Sequence, residues 1–288
     1  HCSPPRPPRE RINSRPVRRA RLRLAAMLRR ARVTVAYDGS GFHGFAKHEG
    51  TRTVMGELSA TIERIVRIPL QLVGAGRTDA GVHGWGQVVS GDLPADIDLA
   101  DLQRRVNRML APEIAVRDWV FVDDPDFNAR YSATYRHYRY HVVNTPMPNP
   151  LMARSAWHVY QPLQLWTMQL ACDPLIGEHD FSAFCRRPRL RAGKAQPSLV
   201  RTVLRADWTA VPGDVPGLLR FEIRATAFCH QMVRSIVGTL VDVGMGKLTA
   251  ADVRAILHGR DRTEAGQVAP PQGLVLWEVG YPGDTRVE

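Results

Sequence analysis

Cysteine is scarce in this chain. Four occur in 288 residues, at positions 2, 172, 185 and 229, and no two form a C-x-x-C pair. That spacing excludes a disulfide scaffold and fits a reducing compartment, so a cytoplasmic location is expected. Long apolar runs are missing too. None approaches the roughly 20 residues needed to cross a bilayer, and no membrane association is expected. The N-terminal stretch lacks the apolar core of a secretory signal, although its charge alone is compatible with a transit peptide. Acids are nearly absent there: residues 1–30 hold ten Arg and a single acid, Glu10.

That asymmetry decides how the overall charge is read. The chain has 39 basic and 28 acidic residues and a pI near 10.1, a balance that suggests a polyanionic partner. Outside residues 1–30 the count is 29 basic against 27 acidic. The body is therefore not uniformly basic, and any nucleic-acid site on it must be a local patch. Dense like charge with Pro4, Pro5, Pro7, Pro8 and Pro16 makes residues 1–30 a disordered basic tail. The chain opens on His1 rather than Met, so residues before Met27 are either a start-site artefact or an RNA-binding arm.

What remains is ordinary globular material, 44% hydrophobic and long enough for one large or two ordinary domains. Val33, Val35 and Tyr37 alternate as a strand that ends in the turn Asp38-Gly39-Ser40-Gly41. Thr53 caps a helix whose Val54, Leu58, Ile62 and Ile65 form one stripe. Strands follow at Leu70–Ala75 and about Trp85–Ser90. Leu99, Leu102, Val106 and Met109 mark a second helix, and Ile114–Phe121 a further strand. The order β-α-β-β-α-β is that of the split ferredoxin-like unit.

A looser copy follows. Its strands are expected at Tyr131–Asn144, 199–210, 218–226 and Leu274–Val279. Its helices are expected near Leu163–Cys172, from about Phe228 to Val243, and at 249–258. The expectation is an α+β fold with a mostly antiparallel central sheet. Two ferredoxin-like (RRM-like) halves, 31–126 and 127–288, would follow the tail.

The strongest local signal is Gly74-Ala75-Gly76-Arg77-Thr78-Asp79-Ala80-Gly81-Val82-His83, placed between two strands and hence in an exposed loop. On spacing alone Arg77 and Asp79 read equally well as a solvated surface pair. Arg136, Tyr138 and Tyr140 project from one face of an extended strand; an ordinary aromatic strand face would look the same. On the helix that begins near Phe228, His230, Arg234 and Gly238 share an edge spaced by four, while Met232, Val233, Ile236 and Leu240 cover a broad apolar side. Arg186, Arg187, Arg189, Arg191 and Lys194 form an acid-free loop suited to phosphate.

Taken in order, these segments resemble the tRNA pseudouridine synthase A family. The shared motifs are Tyr37-Asp38-Gly39 with Gly41-Phe42-His43-Gly44, Arg52 to Leu58, Gly76 to His83, Phe127 to Thr134 with Arg136 to Tyr140, and Gly177 to Phe184. They continue with Phe228 to Gly238 and Ala269 to Leu274, so the likeness covers roughly residues 32–282. The resemblance implies that Asp79 is the nucleophile, that Tyr138 packs beside it against the target uracil, and that Arg234 pairs with it, holding the carboxylate ionised and oriented. It assigns Arg77, His83, Arg136, Phe181 and Leu274 to substrate binding, with Arg77 filling the space left by the extruded base; packing accounts equally well for Leu274. It implies a homodimer acting on tRNA, at positions 38–40 on the 3′ side of the anticodon stem-loop. Neither metal nor organic cofactor is implied. One departure stands out: where the family commonly carries Trp-Gln after the glycine, this chain has Phe45-Ala46-Lys47-His48.

Two other readings compete. A non-catalytic RNA-binding module or chaperone of the same fold is opposed by the intact Asp79, Tyr138 and Arg234. A metal hydrolase would have to use His43, His83, His179, Asp180 and His230, and no pair among these has zinc-site spacing.

Overall fold

Ala31, Val33, Val35 and Tyr37 recur at every second position and all four are buried, lining one face of strand β1 (Leu28–Tyr37). The computed structural model describes residues 28–187 and 197–284. Residues 1–27 of the expected tail, and Arg189, Arg191 and Lys194 of the expected basic loop, lie outside the described residues. The tail's last three residues need correction. Leu28, Arg29 and Arg30 are strand, paired with Pro94, Leu93 and Asp92. Arg30 fixes the start of β1 through Asp92 at 2.8 Å and the Phe127 carbonyl at 2.9 Å.

Thr53 caps helix α1 (Val54–Val66) by accepting from the Gly56 N–H, and Arg67 ends it in the left-handed region. Val54, Leu58 and Ile62 are its buried stripe. Then come β2 (Val73–Gly74) and β3 (His83–Pro94). Helix α2 (Leu99–Leu110) is capped by Asp98, and β4 (Ile114–Phe121) closes the first half.

The second half runs through β5 (Tyr135–Asn144), β6 (Trp157–Val159), α3 (Leu165–Leu170), β7 (Gly177–Asp180), β8 (Val200–Ala210) and β9 (Leu218–Ala225). Helix α4 (Met232–Gly244), helix α5 (Ala250–Gly259) with a Thr249–Asp252 capping box, and β10 (Leu274–Gly280) complete it.

One sheet joins the halves in the order β4-β1-β3-β10-β5-β9-β8-β7, with β2 on β3 and β6 on β5. Within each half the spatial order is fourth, first, third, second strand: β4-β1-β3-β2, then β10-β5-β9-β8. The same ferredoxin-like arrangement therefore occurs twice. The halves meet where β3 and β10 run parallel, at His83 opposite Val275 and Gly84 opposite Leu276. Other pairings are antiparallel apart from β5 with β6.

Leu58, Ile62, Leu102 and Val106 pack one core against β1 and β3. Tyr140, Phe221, Ile223, Ile236 and Leu240 head the other, which also takes in Ala75, Val82 and Val88. A fully buried Val, Leu, Ile or Phe contributes about 1.5–3 kcal/mol, and the loop between β2 and β3 is anchored in this second core through Ala75 and Val82.

Several boundaries differ from expectation. The strand expected over Leu70–Ala75 shrinks to Val73–Gly74, paired with Ser90 and Val89, and the Leu70 N–H donates instead to the Glu63 side chain of α1 at 3.0 Å. The strand expected from Tyr131 begins at Tyr135; before it, the Asn128 side chain accepts from the Arg130 and Tyr131 N–H groups and holds a turn. The helix expected from Phe228 starts at Met232, since Gln231 is left-handed at φ +64°. The helix expected near Leu163–Cys172 is confined to Leu165–Leu170.

Candidate active site

The segment between β2 and β3 is held by its neighbours rather than by its own sequence. The Gln87 amide donates to the Gly76 carbonyl at 2.9 Å, and its oxygen accepts the Gly76 N–H at 3.2 Å. Thr78 is pinned twice: its carbonyl accepts the Phe45 N–H at 3.1 Å, and its hydroxyl meets the Tyr37 phenol at 2.8 Å. The turn after β1 presses directly on the loop, because a Cβ on Gly39 would lie 2.0 Å from the Val82 carbonyl oxygen. Only glycine fits there. With its backbone fixed, Asp79 presents its carboxylate outward, a quarter exposed.

Helix α4 meets it. Arg234 donates from Nη1 to Asp79 Oδ2 at 3.1 Å and from Nε to the Ala269 carbonyl at 2.7 Å. The guanidinium thus ties the acid to the segment leading into β10 and fixes its place. On the other carboxylate oxygen, His230 Nε2 stands 3.2 Å from Oδ1. His230 precedes α4 rather than sitting on it, and the left-handed Gln231 turns it back toward the acid.

Tyr138 is buried and meets the Phe228 ring edge-on at 5.0 Å. Burial pushes its phenol up to about 12, and the negative charge of Asp79 adds to this while Arg136 opposes it. At neutral pH the hydroxyl therefore keeps its proton. A Cβ on Gly76 would stand 3.7 Å from both that hydroxyl and Leu276 Cδ2, so Tyr138 borders the Asp79 loop.

The other expected site residues divide. Arg77 is exposed on the loop and has no side-chain partner among the described residues. Arg136 donates to the carbonyls of Ala75, Thr226, Ala133 and Arg130, bracing the loop from below. The Nδ1 atom of His83 accepts the Gly39 N–H, and its Nε2 meets the Arg154 and Gln272 carbonyls, so the ring is engaged by backbone on both sides. Those contacts fit the tautomer with hydrogen on Nε2. Leu274 is buried opposite Tyr140, two residues along β10 from Leu276, which faces Tyr138. Phe181 requires correction: it is fully buried against Phe184 and presents no surface to a substrate in this conformation.

Sequence reasoning did not place His230 or Gln87 in the site. His230 stands four residues before Arg234, a spacing that was visible but credited to an unbroken helix. Gln87 is a polar residue in the buried run of β3, and such a residue needs a hydrogen-bond partner. Of the expected basic loop, Arg186 and Arg187 are described and exposed, and the Arg186 N–H donates to the His230 carbonyl at 3.0 Å. Among the described residues no three His, Cys, Asp or Glu side chains converge as a metal site would require.

A family model for tRNA pseudouridine synthase matches residues 33–132 and 171–282. The chain belongs to the tRNA pseudouridine synthase family. Full-length relatives agree. The tRNA pseudouridine synthase A of Methylobacterium sp. (strain 4-46) is 42% identical over 255 residues, covering 88% of this chain and 98% of that one. Its counterpart in Frankia casuarinae is 40% identical over 260 residues, covering 90% and 91%. That of Brevibacillus brevis is 39% identical over 254 residues, covering 88% and 100%. The family match brackets Arg136 and Tyr138 without including them. It does include Asp79, Arg234 and His230. Among the described residues no helix is long and apolar enough to cross a membrane.

Proposed function

We propose that this protein isomerises uridine to pseudouridine in tRNA, with Asp79 as the nucleophile. One observation carries the reading. A single accessible carboxylate stands on a braced loop, held by Arg234 on one oxygen and approached by His230 on the other. The reaction breaks the bond between ribose C1′ and uracil N1, turns the base, and joins C5 to C1′. N1 ends with the proton that C5 gives up. Nothing is oxidised and no group is imported, so a positioned carboxylate suffices and neither metal nor organic cofactor is needed.

The target base must leave its stack to reach Asp79. Tyr138 and Phe228 offer it an aromatic wall, and the protonated Tyr138 hydroxyl a polar handle. Arg77, exposed on the same loop, takes the space the base vacates. Arg136 acts on the substrate through the loop it braces, and Leu274 and His83 hold the neighbouring strand ends. Exposed Arg186 and Arg187 beside His230 begin a phosphate-binding rim.

The family resemblance directs the chemistry to positions 38–40 in the anticodon stem-loop, in the cytoplasm, with the enzyme working as a homodimer. The test is to map pseudouridine in tRNA from cells lacking the protein, before and after adding it back. Loss and restoration at those positions are expected. Unchanged pseudouridine throughout the tRNA would leave the non-catalytic RNA-binding reading standing.

A further inference from the structure

Gln87 is a polar side chain with no exposed surface, set in the buried run of β3. The pairing of β2 with β3 explains why it is there. Val73 lies opposite Ser90 and Gly74 opposite Val89. Ala75 continues that register, its N–H donating to the Val88 carbonyl at 2.8 Å. One step further Gly76 comes level with Gln87, and there the ladder opens.

Side chains make the opening. In a regular antiparallel pair the Val88 N–H would return to the Ala75 carbonyl; it donates instead to Gln87 Oε1 at 3.2 Å. The same oxygen accepts the Gly76 N–H at 3.2 Å, while Nε2 donates to the Gly76 carbonyl at 2.9 Å. The Ala75 carbonyl takes Arg136 Nη2 at 3.1 Å. Only the amide oxygen can accept backbone N–H groups and only its NH2 can meet a carbonyl, so these partners fix which way the amide points. The break therefore leaves Ala75, Gly76 and Val88 with their buried backbone groups bonded.

The chain thus leaves the sheet beside the site itself. A Cβ on Gly76 would stand 3.7 Å from both the Tyr138 hydroxyl and Leu276 Cδ2. Three residues later Asp79 meets Arg234 at 3.1 Å. We infer that Gln87 is a positioning residue for pseudouridine formation: its amide wedges the loop off β3 and sets where Asp79 stands relative to Tyr138. The inference rests on the synthase reading of the site. Being fully buried, Gln87 acts through Gly76 rather than on the substrate. Without the amide, the Val88 N–H and the Ala75 carbonyl are free to pair, and the loop is drawn toward the sheet.

The experiment compares the full chain with Gln87→Met and Gln87→Glu. Methionine is unbranched and fills a similar space without an amide; glutamate keeps the accepting oxygen and loses the donor. Single-turnover pseudouridine formation at saturating tRNA, and the Kd for tRNA, are measured well below each variant's unfolding transition. Gln87→Met should be slower by at least about tenfold, the effect of a misplacement near 1 Å, with Kd nearly unchanged. Gln87→Glu should fall between Gln87→Met and the parent. A space-filling role gives the reverse order, because a buried charge costs more than a thioether.

Amide hydrogen exchange over residues 76–80, read without tRNA, should be faster in Gln87→Met than in the parent. Folded Gln87→Met turning over at the parent's rate would overturn the inference. So would a Gln87→Met rate above that of Gln87→Glu, a loss confined to Kd, or unchanged exchange. Exchange is read without any activity assay, so its failure is distinct from failure of the synthase reading, which an inactive parent would show.

Discussion

Arg234 contacts two segments through one guanidinium: Nη1 donates to Asp79 Oδ2 at 3.1 Å, while Nε donates to the Ala269 carbonyl at 2.7 Å. The acid and the chain entering β10 therefore share an anchor. Lysine carries the charge but has no fork with which to serve both. Arg234→Lys should lower single-turnover kcat by about 10- to 100-fold through misplacement of Asp79, with KM for tRNA nearly unchanged. A rise in KM with kcat unaltered would mean that Arg234 binds substrate instead of positioning the acid.

Gly238, one turn further along α4, carries the same segment. A Cβ there would stand 1.7 Å from the Gln267 carbonyl oxygen. Gly238→Ala must push residues 267–269 off the helix, at a cost of about 1–3 kcal/mol. Because Ala269 moves with them, Arg234 loses its second partner. Urea unfolding should show the lost stability, and turnover measured well below the transition should fall as well.

On the sheet face away from α4, Glu222 is buried among His137, Arg139 and Arg220, with the two arginine Nε atoms 2.8 and 2.9 Å away. Its carboxyl is held down at about 2, first by His137 and then by the arginines. A depressed carboxyl stabilises the fold fully above its unfolded value of about 4.5, and that contribution is lost as pH falls through the folded value. Unfolding free energy should therefore drop between about pH 4.5 and 2. Glu222→Gln should be less stable at neutral pH, with a shallower decline across that window. Parallel declines in the two proteins would show that Glu222 does not carry this linkage.

Much of this site was legible from sequence because its motifs are local. The loop from Gly76 to His83 and the Arg234 helix each announce themselves within a dozen residues. Period-two burial in β1 and the stripe of α1 follow directly from their side chains. What was not legible depends on contacts between distant segments. The parallel pairing of His83 on β3 with Val275 on β10 joins segments far apart in sequence. Gln231 breaks the helical spacing at a single residue, and this turns His230 from a helix edge into a partner of Asp79. Phe181 lies in a shared motif, yet its depth in the core is set by packing that no linear pattern displays.

The N-terminal arginines are expected to bear on affinity rather than chemistry. A chain beginning at Met27 should keep its saturating turnover. If the removed arginines contact phosphates, tRNA binding will weaken and the log–log salt slope will fall by about 0.7–0.9 for each lost contact. Loss of saturating turnover in a folded truncation would contradict this division.

The central claim is that Asp79 performs the chemistry, and Asp79→Asn tests it most directly. Asparagine keeps nearly the same shape and can still meet Arg234, but it is a very poor nucleophile. Affinity for tRNA should survive, because phosphate and shape contacts spread over the surface supply most of it. The measurement is single-turnover pseudouridine formation at saturating tRNA, after confirming that the variant melts like the parent. The account predicts no detectable product with tRNA still bound; pseudouridine formed at a rate near that of the unaltered enzyme would contradict it.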